Sequence, residues 1–239
     1  MSKRNIGEHT SRKKIKDVRR LQLLAANIDA IAKHGLSETT ISHVAEIASM
    51  SRGIVNFYFK SKEIMMSETL THLLQEQSLV WQTVRTKAEG KPAEEILRLV
   101  ISSLFAAKLC SRKRLSVWTA FLAHSSNNTK HRQEIATENK KLDKELADLL
   151  QAAGGDAESS GQLSSLIRGL WLELLTQDSN DTTREMLENH AQDFLSQLLD
   201  VETPVIAPVV VAPVVEKKTA VKKPKKPASE AAIGDLFSF

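Results

Sequence analysis

The chain has 239 residues, with 33 Lys and Arg against 29 Asp and Glu, a formal net charge of +4, 41% hydrophobic residues, nine Gly, six Pro and one Cys. Its length and apolar content suffice for one large or two small packed domains, and so few turn residues argue against a strand-rich fold. Cys110 alone excludes an intramolecular disulfide or a cysteine metal cluster; with no apolar leader in the first thirty residues and no run near 18 apolar residues, secretion and membrane spanning are set aside and a cytoplasmic protein is expected.

Charge is unevenly spread. Residues 1–20 hold eight bases and two acids, 201–239 hold six and four, and the stretch between has a balance of −4. A basic end ahead of a mildly acidic body fits a protein that meets a polyanion at one end. Residues 1–16 are polar and basic without a sustained apolar period, and read as a flexible arm carrying Arg12, Lys13 and Lys14. From Asp17, the spacing of Leu21, Leu24, Ala25, Ile28, Ile31 and Ala32 predicts an amphipathic helix that stops at His34-Gly35.

A short helix follows behind Thr39 or Thr40, with Ile41, Val44, Ala45 and Ala48 as its buried face. Ser49-Met50-Ser51 breaks it, and a third helix runs from Ser51 to about Phe57. Ser61 caps a fourth through Ile64, Leu70, Leu73, Leu74 and Trp81 to about Lys87. Beyond Pro92 the pattern predicts helices at about 92–109, 113–125, 127–153, 161–177 and 182–200, so the fold class is all-α. After Asp200, five prolines sit among Val, Ala and Lys, and 201–239 reads as a disordered tail. Its apolar end, Ile233 to Phe239, is either a frayed terminus or a docking peptide.

The two short helices cannot be stable alone and must lean on the first. A three- to four-residue turn between them is the helix-turn-helix arrangement, whose second helix offers its first residues to the major groove. Arg52 and Asn56 are of the types that bond guanine and adenine bidentately, each worth ~1–3 kcal/mol of discrimination. Gly53 costs ~1 kcal/mol in a helix relative to Ala but leaves room for close approach. Thr40, Ser51, Phe57, Tyr58, Lys60 and Lys62 complete the candidate contact set, with Thr40 and Lys62 at helix starts where exposed N–H groups suit phosphate.

The run from about Asp17 to Gln77 resembles the N-terminal domain of TetR-family repressors. The resemblance rests on Gly35, Thr40-Ile41, Ala45-Glu46-Ile47-Ala48, Met50-Ser51-Arg52-Gly53 and Tyr58-Phe59-Lys60-Ser61-Lys62-Glu63. Ser49 departs from it, standing where that family usually has Gly. The resemblance implies a three-helix DNA-binding domain over 17–77 with its helix-turn-helix at 40–59. It also implies a helical effector-binding and dimerisation body over 78–200, and a homodimer on palindromic operator DNA at the nucleoid.

Leu163, Leu166, Ile167, Leu170, Trp171, Leu174 and Leu175 form one apolar face, and Met186, Leu187, Phe194, Leu195, Leu198 and Leu199 another; each serves either a dimer interface or plain core. Leu115–Phe121, Ile167–Leu172 and Ser51–Val55 are similar to the choline-responsive betaine-synthesis repressors within the family, which implies a quaternary ammonium effector. Such a ligand wants aromatic faces, for which Phe105, Trp118, Phe121 and Trp171 are candidates with Glu173 as a nearby acid, although aromatics at helical spacing also serve as core. No catalytic residue, metal site or cofactor is expected: the seven His lack ligand spacing, Cys110 lacks a histidine partner and no Gly-rich phosphate loop exists. An adaptor protein that recruits partners through its tail is the alternative function.

Overall fold

The computed structural model describes residues 4–177 and 180–200, with side chains from Ile15 onward. The expected tail lies outside the described residues. The described chain is helical with no strand: α1 (Arg4–His34), α2 (Ile41–Ile47), α3 (Arg52–Tyr58), α4 (Lys62–Lys87), α5 (Ala93–Leu104), α6 (Ala107–Cys110), α7 (Arg112–Ser125), α8 (Thr129–Ala152), α9 (Ser160–Thr176) and α10 (Asp181–Asp200), with a 3-10 turn at Ala157–Ser159. No described helix is long and apolar enough to cross a membrane.

The basic segment expected as a flexible arm is helical from Arg4. Lys and Arg are good helix formers, and neither a proline nor a capping break separates this segment from the amphipathic stretch that follows, so the helix continues backward. The buried face of α1 also differs from the expected stripe. Leu24, Ile28 and Ile31 are buried as anticipated, but Leu21 is 51% exposed and Ala25 and Ala32 face outward. Leu23, Ala26, Asn27 and Ala30 are buried instead, because α1 packs against α7 as well as α2 and α4 and is covered on two sides. Asn27 is tolerated in this core because its Nδ2 donates to Thr69 Oγ1 at 2.7 Å.

Helix α4 is the spine. Met65, Met66, Leu70, Leu73, Leu74 and Trp81 bury its inner face, and it packs on α1, α5 and α8. A boundary at 77/78 therefore falls inside one continuous helix. Along its outer side, Thr71, Ser78 and Arg85 reach Glu134, Glu138 (2.8 Å) and Glu145 (2.9 Å) of α8, a polar seam at seven-residue spacing on α4.

The helix expected over 92–109 divides at Phe105-Ala106. Phe105 ends α5 with its side chain almost fully buried, and the carbonyl of Leu104 that the break releases accepts from the Cys110 thiol at 3.1 Å. Burial pushes that thiol up to about 12, so it stays protonated and inert. Ser111 then caps α7 by accepting from Arg114 N. Leu163, Ile167, Trp171 and Leu174 of α9, with Leu187 and Leu195 of α10, are buried within one chain against α5, α7 and α8. Much of the two apolar faces is thus intramolecular core, while Leu172 (46%) and Met186 (42%) remain exposed.

Candidate nucleic-acid interface

Each of α2, α3 and α4 begins with a hydroxyl cap. Thr40 accepts from His43 N at 3.2 Å, Ser51 from Ile54 N at 3.3 Å and Ser61 from Ile64 N at 3.3 Å, so all three helix starts fall where the sequence places them. Gly35, at φ +79°, ends α1 as expected. The turn between α2 and α3 closes as a Schellman motif: Met50 N donates to Ala45 O at 2.9 Å and Ser49 N to Glu46 O at 3.0 Å. Ser49 occupies the left-handed position at φ +52°, the only non-glycine among the described residues to do so.

These anchors fix how α3 is presented. Val55 and Phe59 are fully buried beneath it. Arg52, Gly53, Asn56 and Phe57 share the opposite, exposed face, with Ser51 and Lys60 exposed at its two ends. Phe57 is 73% exposed, which no folding argument requires. A Cβ built on Gly53 would meet only Ser51 Oγ at 3.7 Å, an ordinary contact, so nothing inside the chain demands glycine there. Tyr58 is half-buried and meets the Phe57 ring edge-on at 5.3 Å. Thr40 is exposed at the start of α2.

Two expectations change in detail. The Lys62 ammonium donates to the Ser37 carbonyl, tying the start of α4 to the loop before α2. The long α1 brings Lys16 Nζ to 5.9 Å from the Phe57 ring centroid, so a base expected on a flexible arm flanks α3 from a helix. Two supports were not visible in the sequence. Arg20 of α1 pairs with Glu68 of α4, lies over the Phe59 ring at 5.0 Å and donates to the Tyr58 carbonyl at 3.4 Å. His34 stacks on His43 at 4.0 Å, and burial together with the neighbouring His43 holds the His34 imidazole below its ordinary pKa.

In the body, Trp118 of α7 and Trp171 of α9 are buried side by side between two cavities. One, about 280 Å³, opens between α7 and α9 and is bordered by Thr119, Ser165, Arg168 and Leu172. The other, about 30 Å³, faces α4 and α6 beside Leu73, Gln77, Leu109 and Arg114. Phe105 and Phe121 border neither; both are fully buried core, as their helical spacing equally allowed. Glu173 is exposed and bonded to Gln177, away from the tryptophans, because its position on α9 faces outward. Arg114 instead pairs with Glu76 at 2.6 Å in a half-buried cluster with Lys108 and His72. Burial alone would lift the Glu76 carboxyl, but the hydrogen bond and charge of Arg114 outweigh it and hold it below the usual carboxylate range. Among the described residues no group of three His, Cys, Asp or Glu is arranged to hold a metal.

The chain is similar to known proteins over both of these regions. The model of bacterial regulatory proteins of the tetR family matches residues 23–69, and that of the BetI-type transcriptional repressor C-terminal region matches 93–200. The HTH-type transcriptional regulator BetI of Paraburkholderia xenovorans is 31% identical over 191 residues, covering 77% of this chain and 95% of that protein. A putative transcriptional regulator from Pseudomonas aeruginosa superposes with a TM-score of 0.65 at 20% identity, over 77% of this chain and 91% of its own. A putative transcriptional regulator from Saccharomonospora viridis, solved in complex with choline, gives 0.60 at 22% identity, over 74% and 95%.

Proposed function

The chain belongs to the TetR family of bacterial regulatory proteins, with a BetI-type repressor body, and from that premise we propose how its residues carry out ligand-responsive DNA binding. It is a transcriptional regulator, not an enzyme. Residues 17–77 form the reading domain and 78–200 the effector and dimerisation body, α4 crossing from one to the other. Arg52 and Asn56 hydrogen-bond base edges, Gly53 lets the duplex approach, and Phe57 meets thymine methyls or sugar edges. Thr40, Ser51, Tyr58, Lys60 and Lys62 line the sugar-phosphate chain, Lys62 also holding Ser37 in place.

The observation that carries this reading is the exposed face of α3, where two hydrogen-bonding side chains, a glycine and an aromatic ring stand on a base of buried Val55 and Phe59. A homodimer formed through α9 and α10, around Leu172 and Met186, sets two such helices about one DNA turn (~34 Å) apart on a palindrome of chromosomal DNA in the cytoplasm. The effector carries a quaternary ammonium group, as choline does, and sits against Trp118 and Trp171. The S. viridis regulator, a fold relative solved with choline, and the BetI-type body support this choice. Binding favours a body conformation with the wrong helix separation and releases DNA through differential affinity for two states. The adaptor alternative is not favoured, because the family match extends over both the reading head and the body.

Genome-wide footprinting of the purified protein tests the proposal. An enriched palindrome with half-sites one turn apart is expected; uniform, sequence-independent protection contradicts it.

A further inference from the structure

Between the start of α4 and the junction of α7 with α8 lies a further cavity of about 170 Å³, which neither tryptophan borders. Leu36, Ser37, Lys62, Glu63 and Met66 of the reading head form one wall. His124, Asn128 and His131 of the body form the other, so whatever fills the cavity touches both parts of the chain.

The polar groups gathered here are mostly donors. Lys62 Nζ gives one N–H to the Ser37 carbonyl and keeps two more. Asn128 Oδ1 is taken up in capping α8, where it accepts from His131 N at 3.0 Å, so the side chain has only its amide N–H groups to offer. Its Nδ2 lies 3.4 Å from His124 Nε2, a long and weak contact. His131 is 4% exposed, and its Nδ1 is enclosed without a partner. A buried acceptor is left unpaired at less cost than a buried N–H, so the proton of this ring belongs on Nε2.

Two acids stand close without taking up these donors. The Ser61 hydroxyl and the backbone N–H of Glu63 hold the Glu63 carboxylate on the first turn of its own helix. Glu134 is turned to α4, where it accepts from Thr71. The first turns of two long helices, α4 and α8, add the positive ends of their dipoles. Leu36 and Met66 supply the apolar part of the lining.

We propose that this cavity binds a small organic acid, a carboxylate on a short aliphatic body, between the reading head and the body. The carboxylate accepts from Lys62 Nζ, Asn128 Nδ2 and the His131 ring, with His124 beside it, and the aliphatic part lies on Leu36 and Met66. A volume of about 170 Å³, below the ~300–1,000 Å³ of drug-sized ligand sites, limits that part to a few carbons. The site is separate from the effector cavity and does not depend on the effector reading. Its effect on DNA rests on the placing of Lys62 along the sugar-phosphate chain. A carboxylate on Lys62 neutralises an ammonium that otherwise meets phosphate, so the bound acid weakens operator binding.

The test is calorimetric titration of the full chain with butanoate, with butanamide, its neutral isostere, and with inorganic phosphate. Butanoate is expected to bind at least about tenfold more tightly than either of the others. His124→Glu, which sets a carboxylate at the exposed edge of the cavity, is expected to weaken butanoate by at least about tenfold. Butanoate should move the ring resonances of His124 and His131 and leave the indole resonances of Trp118 and Trp171 in place. Butanamide or phosphate binding as tightly as butanoate, or no binding by any of the three, overturns the proposal. Butanoate binding that His124→Glu leaves unchanged, or that moves the indoles and not the histidines, puts the acid elsewhere and overturns it as well. Should His124→Glu not fold, the histidine resonances of the unaltered chain decide the matter. At matched ionic strength, saturating butanoate is expected to lower affinity for the best footprinted site by at least about threefold. Unchanged operator affinity with the cavity filled overturns the phosphate role of Lys62, and leaves the acid site and the base contacts of α3 standing.

Discussion

The Arg20 guanidinium lies 5.0 Å from the centre of the Phe59 ring and pairs with Glu68, so one side chain of α1 spans the junction between the end of α3 and the body of α4. Phe59 is fully buried at the end of α3, and Arg20 covers it while donating to the carbonyl of Tyr58. The orientation of α3 therefore depends on a residue that stands on another helix. Replacing Arg20 by Met, which keeps the stem and removes the charge, is expected to lower stability by about 1 kcal/mol, because the pair is partly solvent-exposed. Operator affinity should fall by more than stability alone explains. Thermal denaturation beside mobility-shift titration measures both, and an unaltered affinity would remove Arg20 from the scaffold of the reading head.

Ser49 tests the turn. An L-residue in the left-handed region costs ~1–2 kcal/mol, while glycine there gives back ~0.5–1 kcal/mol through greater freedom of the unfolded chain. Ser49→Gly is thus expected to stabilise by about 0.5–1 kcal/mol, roughly 2 °C in Tm for a chain of this size. Ser49→Val is expected to be destabilising. A lower Tm for the glycine variant would mean that the serine hydroxyl makes a contribution the turn geometry does not predict.

Acid stability follows from one buried and one half-buried histidine. Burial first, and then the nearby His124, holds the His131 imidazole below its ordinary 6.5, with Glu134 pulling the other way and Lys130 adding to the depression. His72 is likewise lowered, mainly by its burial, against the pull of Glu76. The folded chain therefore resists protons that the unfolded chain accepts near pH 6.5. These groups leave stability intact above that value and reduce it as pH falls through it. We expect Tm to be level from pH 8 to 7 and to fall from about 6.5 downward, with a shallower fall in His131→Gln. A Tm that rises between pH 7 and 5.5 would contradict this sign.

Local rules were readable in the sequence where a single residue type enforces a single geometry. Thr40, Ser51 and Ser61 are caps because a short hydroxyl side chain best satisfies the first free N–H groups, and Gly35 ends α1 because it takes a positive φ without cost. What depends on neighbours was not readable. The face α1 buries is set by α2, α4 and α7 together, so Asn27, bonded to Thr69 of α4, is inside and Leu21 outside. The break at Phe105 has no Pro or Gly to announce it; it exists because the ring turns into the core and the Cys110 thiol takes the freed carbonyl. The same reasoning separates the four aromatics proposed for the effector. Spacing groups Phe105, Trp118, Phe121 and Trp171 together, and only packing divides the two that border a cavity from the two that fill the core.

The account stands on the outward face of α3, and the direct measurement is the affinity of the Arg52→Ala, Asn56→Ala double variant for the best site found by footprinting. Both side chains are exposed, so the free energy of unfolding should stay within about 0.5 kcal/mol of the unaltered chain's. Two lost base contacts at ~1–3 kcal/mol each predict a drop of a hundredfold or more on that site, with binding to unrelated duplex nearly unchanged. A drop of less than about threefold, at matched salt, would mean that base recognition lies elsewhere on the molecule.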